Sequence, residues 1–244
     1  MTHPHGDTTW RATGPYLPTN ASKTGLLDET RQFLVTYARR RDVDATAREL
    51  LDGALPQRSR ETRRTIVRII ETRLTRWNPP DWVLSDLVAF AAAHDTDTLK
   101  SALLLHAARQ DVLLVDAVLH VIVPRWAEHT LEISRADVQR YLDAAEPLHP
   151  EIAGWSRETR EKLTGNLLSI LRDYGLLVGT AAKRIVAPIV PPGVVAHLAR
   201  LLIAEGISPE ELPLHPDWRL WLWEPERAAR ALANLPGSLE MPHA

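Results

Sequence analysis

Apolar side chains recur three and four positions apart along nearly the whole chain, a spacing that predicts helix after helix rather than sheet. Leu26, Leu27, Phe33, Leu34, Tyr37 and Ala38 share one face of a first helix over residues 26–41. A second is expected over residues 45–55, with Ala47, Leu50, Leu51 and Leu55 on one side and Pro56 ending it. Ser59 then stands where an N-cap belongs, ahead of a long helix over residues 60–77 that Asn78, Pro79 and Pro80 close. Residues 82–129 are the most apolar part of the chain and predict two or three packed helices forming a structural hub. The plan then repeats: a helix over residues 135–146, a turn bearing Pro147 and Pro150, and a long helix over residues 157–174.

After Tyr174 the period changes. Residues 175–179 and 185–190 read as two short β segments joined by a tip that carries Lys183 and Arg184. A helix, a turn, a second helix and a small hairpin together predict a winged helix-turn-helix. The rest of the chain gives another helix from residue 194, an acidic loop at residues 205–211, a patch of Trp218, Trp221 and Trp223, and a last short helix. That tryptophan patch, in a short segment between prolines, is expected to plug a small core rather than to stack bases. The fold class expected is therefore mainly α. Residues 1–20 form a mobile tail, 21–80 an N-terminal helix-turn-helix, 81–130 the helical centre, 131–193 the winged unit, and 194–244 the C-terminal helices with the tryptophan patch.

An internal repeat supports this division. Ser59-Arg60-Glu61-Thr62-Arg63 recurs as Ser156-Arg157-Glu158-Thr159-Arg160, an offset of 97 residues. The apolar positions downstream keep register, Ile66 with Leu163, Ile70 with Leu167 and Leu74 with Leu171, while aromatic Trp77 corresponds to Tyr174. That spacing is one helical face, so the repeat predicts two units of the same design.

Charge then distinguishes the two copies. The 244 residues carry 29 Lys plus Arg against 31 Asp plus Glu, a net charge of -2 that excludes a globally basic nucleic-acid binder. Locally the balance differs, since residues 31–76 hold twelve arginines against six acids. At about 100° per residue, Arg64 and Arg68 point away from the Ile66, Ile70 and Leu74 stripe. The face around Arg58, Arg60, Arg63, Arg64 and Arg68 is therefore the first expected contact with nucleic-acid phosphates, beginning at a helix N-terminus that itself favours anions. The second copy is less basic. Its cations are Arg157, Arg160 and Lys162 at the start of the helix and Lys183 with Arg184 in the hairpin, and Glu161 lies among them, so a protein-docking role for this unit stays open beside DNA contact. Arginine outnumbers lysine 25 to 4, which suits guanidinium recognition of phosphate but follows equally from genomic base composition.

No catalytic signature accompanies this charge pattern. There is no Gly-rich phosphate loop, no HExxH, no nucleophile elbow and no dinucleotide fingerprint, so no enzyme, cofactor or small-molecule substrate is expected. The chain has no cysteine, which excludes disulfides, thiolate metal sites and cysteine nucleophiles. Asp116 and His120 sit one helical turn apart in the most apolar helix, where a satisfied boundary histidine is far commoner than a metal ligand. No signal peptide is visible at the start, and prolines interrupt the one apolar run between Arg184 and Arg200, so a cytoplasmic protein is expected.

With these pieces in order, the sequence resembles the BrxA family of bacteriophage exclusion (BREX) defence systems, over about residues 16–235. The resemblance rests on Lys23, Thr24, Gly25 and Leu26; on the helix ending in Arg73 and Leu74; on the apolar centre; and on Ser156, Thr159, Arg160, Lys162, Leu163, Leu168, Leu171, Gly175, Leu176 and Leu177. It implies an all-helical, non-enzymatic protein whose helix-turn-helix units bind double-stranded DNA beside other phage-defence subunits: a methyltransferase, an ATPase and a phosphatase-like protein. Family members have also been labelled inner-membrane proteins, a label this sequence does not support. Two readings of other classes stay open, a protein-docking scaffold within the defence complex and an RNA-binding helical module.

Overall fold

A computed structural model describes residues 10–18, 23–93 and 95–235. Its elements in chain order begin with α1 (Leu27–Arg40), α2 (Val43–Glu49), which runs on into a π turn at Leu50–Ala54, and α3 (Arg60–Leu74). The centre comprises α4 (Asp81–Ala92), α5 (Thr96–Arg109) and α6 (Val112–Ala117), the last continuing through a π turn at Val118–Ile122 into α7 (Val123–Ala127). Then come β1 (Glu132–Ile133), α8 (Arg135–Ala145), α9 (Arg157–Asp173), β2 (Leu177–Val178) and β3 (Lys183–Ile185). The chain closes with α10 (Pro192–Ala204), 3-10 turns at Leu212–Leu214 and Pro216–Trp221, and α11 (Pro225–Ala233).

The helix starts follow from local chemistry. Asp42, Ser59, Asp111 and Ser156 each accept a hydrogen bond from the backbone N–H three residues on, satisfying a donor that the first turn leaves unpaired. Ser134 and Asp137 form a reciprocal capping box that fixes the start of α8. The repeat's expected stripes, Ile66, Ile70 and Leu74 on α3 and Leu163, Leu167 and Leu171 on α9, are all buried. They belong to a single cluster of buried side chains that runs from Tyr16 to Ala228.

The sheet differs in detail from expectation. The hairpin is shorter, and Lys183 and Arg184 lie within β3 rather than at its tip, which residues 179–182 form. Gly179 makes that turn possible: its φ is +90°, and a Cβ there would sit 2.1 Å from the Ala182 carbonyl oxygen. A third strand, β1, was not expected. It pairs antiparallel with β3, giving the order β1-β3-β2 and setting Glu132 opposite Arg184.

Residues 1–20 were expected to be mobile, yet residues 10–18 are strapped across the molecule; residues 1–9, 19 and 20 lie outside those described. Trp10 N–H donates to Glu205 Oε1 at 2.8 Å, Ala12 N–H to the Arg109 carbonyl at 2.8 Å, and Gln110 Nε2 to the Trp10 carbonyl at 2.9 Å. Further along, the buried Tyr16 hydroxyl donates to Asp116 Oδ2 at 2.8 Å and lies 2.6 Å from the Tyr141 hydroxyl, while its ring stacks on His149 at 3.7 Å. Burial and these partners raise the Tyr16 phenol's pKa.

The two repeat helices meet through Gly25. Arg73 on α3 donates to the Gly25 carbonyl at 3.0 Å and to the Tyr174 hydroxyl at 2.9 Å; the Tyr174 hydroxyl donates to the same carbonyl at 2.7 Å, and Gly25 N–H donates to Asp173 Oδ2 at 3.0 Å. A Cβ at position 25 would stand 2.7 Å from Asp173 Cβ and 3.3 Å from the Tyr174 ring. Gly25→Ala is therefore expected to cost about 1–3 kcal/mol through overpacking, read as a lowered urea midpoint at unchanged slope.

A buried polar chain crosses the centre. His197 Nδ1 donates to Asp86 Oδ2 at 2.8 Å, and its Nε2 accepts from His106 Nε2 at 2.9 Å, a tautomer choice that leaves His106 Nδ1 without a partner among the described residues. Desolvation pushes the pKa of His106 well below its usual value and that of His197 below it, and burial takes His215 down to about 4. In the unfolded chain these rings titrate near about 6.5, so below that pH the unfolded state binds more protons and folding stability falls. Asp111, pushed up to about 6 by burial, acts in the opposite direction, one group against three. The expected result is a melting temperature that is level above pH 7 and drops steadily from pH 6.5 to 5; a rise on acidification would contradict it.

Candidate nucleic-acid interface

The first copy of the repeat presents the cations that charge counting singled out. Arg58, Arg60, Arg64 and Arg68 are exposed along one side of α3 and the turn before it. Arg60 lies 3.5 Å from Asp52, and Arg64 pairs with Glu61. Both are surface pairs worth little against a competing phosphate. Among the described residues Arg58 and Arg68 have no acidic partner. Arg68 also lines a cleft of about 380 Å³ between α3 and the strap, together with Arg76, Thr72, Gln110 and Thr13.

Arg63 does something else. Its guanidinium turns back on the preceding turn, donating to the carbonyls of Leu51 at 2.8 Å, Gln57 at 2.6 Å and Arg58 at 3.3 Å. Arg160, at the equivalent place in the second copy, donates to the Ile152 carbonyl and Glu146 at 2.8 Å and to Asp143 at 3.1 Å. The repeated pentapeptide is thus a serine N-cap followed by an arginine that ties the helix start to the turn before it. Its conspicuous spacing reports that geometry, and both arginines are committed to it.

Around α9 the exposed cations are Arg157 and Lys162 at the helix start and Arg184 on β3. Arg157 donates to Glu161 at 2.7 Å, which raises its own pKa, whereas Lys162 and Arg184 have no acidic partner among the described residues. Lys183 is half-buried and caps the hairpin, donating to the Thr180 carbonyl at 2.8 Å. One cation escaped sequence reasoning. Arg135, in the first turn of α8, lays its guanidinium against α9, its Nη2 standing 3.2 Å from where a Gly165 Cβ would be. The capping box around Ser134 marks the start of α8, but nothing in the spacing tells that this side chain reaches the next helix.

The other candidate chemistry resolves as structure. Trp218, Trp221 and Trp223 are buried against one another, their ring centroids about 5.8–5.9 Å apart, so their faces are not open to bases. Asp116 accepts from Tyr16, and His120 stacks on Tyr141 at 6.1 Å. Among the described residues no cluster of three or more His, Asp or Glu side chains is arranged to hold a metal ion. Among them, too, no helix is long and apolar enough to cross a membrane.

Comparison with known structures finds a crystal structure of an uncharacterized protein from Magnetospirillum magneticum with the same fold. It matches at a TM-score of 0.67 and 16% sequence identity, covering 86% of this chain and 100% of that one. A comparison with curated protein sequences finds no match. The family model described as BrxA matches residues 15–201, from the strap's Tyr16 region through both repeat helices, the three-stranded sheet and most of α10. That span is well over half of the chain, and on it the chain belongs to the BrxA family, whose role lies in BREX phage defence.

Proposed function

We propose that this protein is a non-enzymatic accessory component of a BREX defence system that binds double-stranded DNA, mainly through phosphate contacts from the exposed face of α3. The observation that carries the reading is the row Arg58, Arg60, Arg64 and Arg68: four exposed guanidinium groups, two of them without any acidic partner among the described residues. Lysine or arginine side chains held along one helix face neutralise phosphates at the spacing a duplex backbone offers. Sequence preference is modest, because this face has no Asn or Gln for bidentate reading of adenine, leaving Arg64 and Arg68 as the groups able to read guanine.

A second surface joins it. The order β1-α8-α9-β2-β3, with the strand before α8 closing onto the hairpin, supports reading this unit as a winged helix-turn-helix, and Arg135, Arg157, Lys162 and Arg184 are exposed cations on it. Lys183 supports the wing from within. Asp143, Glu146, Glu158 and Glu161 stand close by, which favours a supplementary role for this unit in DNA contact and suits docking of another defence subunit. The protein works in the cytoplasm, where both partners are.

Fluorescence anisotropy with labelled duplex DNA, single-stranded DNA and duplex RNA, each at low and near-physiological salt, tests the reading. Duplex DNA is expected to bind best, with an affinity falling steeply as salt rises. Equal or tighter binding of duplex RNA would replace DNA by RNA, and no binding at low salt would leave the scaffold reading.

A further inference from the structure

Between α8 and α9 lies a cleft of about 480 Å³, within the range of small-molecule sites. Its walls combine three guanidinium groups, Arg135, Arg157 and Arg160, with the half-buried indole of Trp155 and the carboxylate of Glu161. We propose that this cleft binds a purine nucleoside monophosphate, as a free nucleotide or as the unpaired 5′ end of a strand. The site does not depend on the duplex contacts of α3.

The chemistry follows from the partners each group already has. Arg160 is held by Asp143, Glu146 and the Ile152 carbonyl, so it forms a fixed floor. Arg135 has no acidic partner among the described residues, and Gly165 leaves the space in which its guanidinium lies along α9. Arg157 is 92% exposed and tied to Glu161 alone, a weak surface i,i+4 pair easily exchanged for a phosphate. Arg135, reaching across to α9 beside Gly165, and Arg157, from the first turn of α9, thus face the same cleft as two arms for a phosphate. Once Arg157 turns to the phosphate, Glu161 is left as an acceptor inside the cleft. A base that offers N–H donors, as guanine does on its N1 and N2 edge, satisfies it.

Trp155 supplies the remaining recognition. It sits between the 3-10 turn at Pro150–Gly154 and the cap of α9, packs one part of its ring on the core, and has no aromatic or cationic ring partner among the described residues. A purine can stack on it, as bases do on aromatic platforms. Phosphate clamp, base acceptor and stacking wall lie in one cleft, so the ligand class needs all three features, which neither inorganic phosphate nor a nucleoside has.

Isothermal titration of the full chain with guanosine 5′-monophosphate, inorganic phosphate and guanosine tests the assignment. The nucleotide is expected to bind at least tenfold tighter than either fragment. Arg135→Ala, a surface change, and Trp155→Leu, checked for folding by its melting curve, should each weaken nucleotide binding tenfold or more. Arg64→Glu with Arg68→Glu should leave it unchanged while strongly weakening duplex binding, so failure of the duplex reading and failure of this one are distinguishable. A 5′-phosphorylated single-stranded oligonucleotide ending in guanine separates the sources: tighter binding than the mononucleotide assigns a strand end, weaker binding a free nucleotide. Absence of nucleotide binding at millimolar concentration, phosphate binding as tight as the nucleotide, or affinity unchanged in Arg135→Ala would overturn the proposal.

Discussion

Reversing Arg64 and Arg68 together to glutamate is expected to weaken duplex DNA binding on the order of 100-fold near physiological salt and to reduce the slope of log affinity against log salt by about 2. Both side chains are exposed on α3, away from the buried Ile66, Ile70 and Leu74 stripe, so the folded state should persist with a nearly unchanged melting temperature. Arg68 has no carboxylate to leave behind. Arg64 gives up only its surface pair with Glu61. The measurement is anisotropy over a salt series for wild type and double variant; equal affinity in a folded variant would remove this face from the interface. Arg63→Glu is a poor substitute for that test, because its guanidinium holds the turn before α3 and its loss would change structure and binding together.

The largest effect on stability is expected at Arg109. This side chain is 1% exposed and pairs with Glu205 and Asp217, whose side chains are 3% and 1% exposed. Arg109→Met leaves two buried carboxylates with Trp10 N–H, Arg11 and the nearby His215 ring to answer them among the described residues. Breaking one side of a buried ion pair in this way costs about 3–5 kcal/mol. For a chain of this size that is a fall in melting temperature of roughly 10 °C, followed by circular dichroism. The loss comes from the orphaned anions rather than from the bridge itself. The triple variant with Glu205→Leu and Asp217→Leu added should therefore recover much of the loss. A triple variant less stable than Arg109→Met would show that the charges contribute net attraction.

How much of this was legible in the sequence varies with the distance over which each feature is encoded. The helices were, because 3.6-residue periodicity is local: α1, α3, α8 and α9 fall within a few residues of the expected bounds. The interruptions were not. The π turns at Leu50–Ala54 and Val118–Ile122 carry no composition mark beyond Gly53. Strand β1 is two residues long and owes its existence to β3, fifty positions later, so no local signal announces it. The strap looked like a polar tail because its anchors, Trp10 and Tyr16, are single residues whose partners lie far away in sequence.

The candidate site shows the same division. Counting charge located the α3 face, since exposure on an amphipathic helix follows from angle alone. It could not separate Arg63 and Arg160 from their neighbours, because a guanidinium that caps a turn and one that waits for a phosphate occupy similar positions on a helical wheel. It also missed Arg135, whose place is defined by the helix it crosses rather than the helix it belongs to.

The strap has a consequence for synthesis. The ribosome delivers residues 10–18 before the groups that receive them, Arg109, Asp116, Tyr141, Glu151 and Glu205, which emerge up to 195 positions later. Tyr16 waits for Asp116, Tyr141 and Glu151, and Trp10 waits longer, for Glu205. Closing the ends of so long a segment is slow as well as late. The nascent protein therefore passes through a period in which earlier helices can pack while residues 10–18 remain accessible to proteases and chaperones, and disappearance of protease cleavage near Trp10 would mark the moment at which the segment carrying Glu205 has docked.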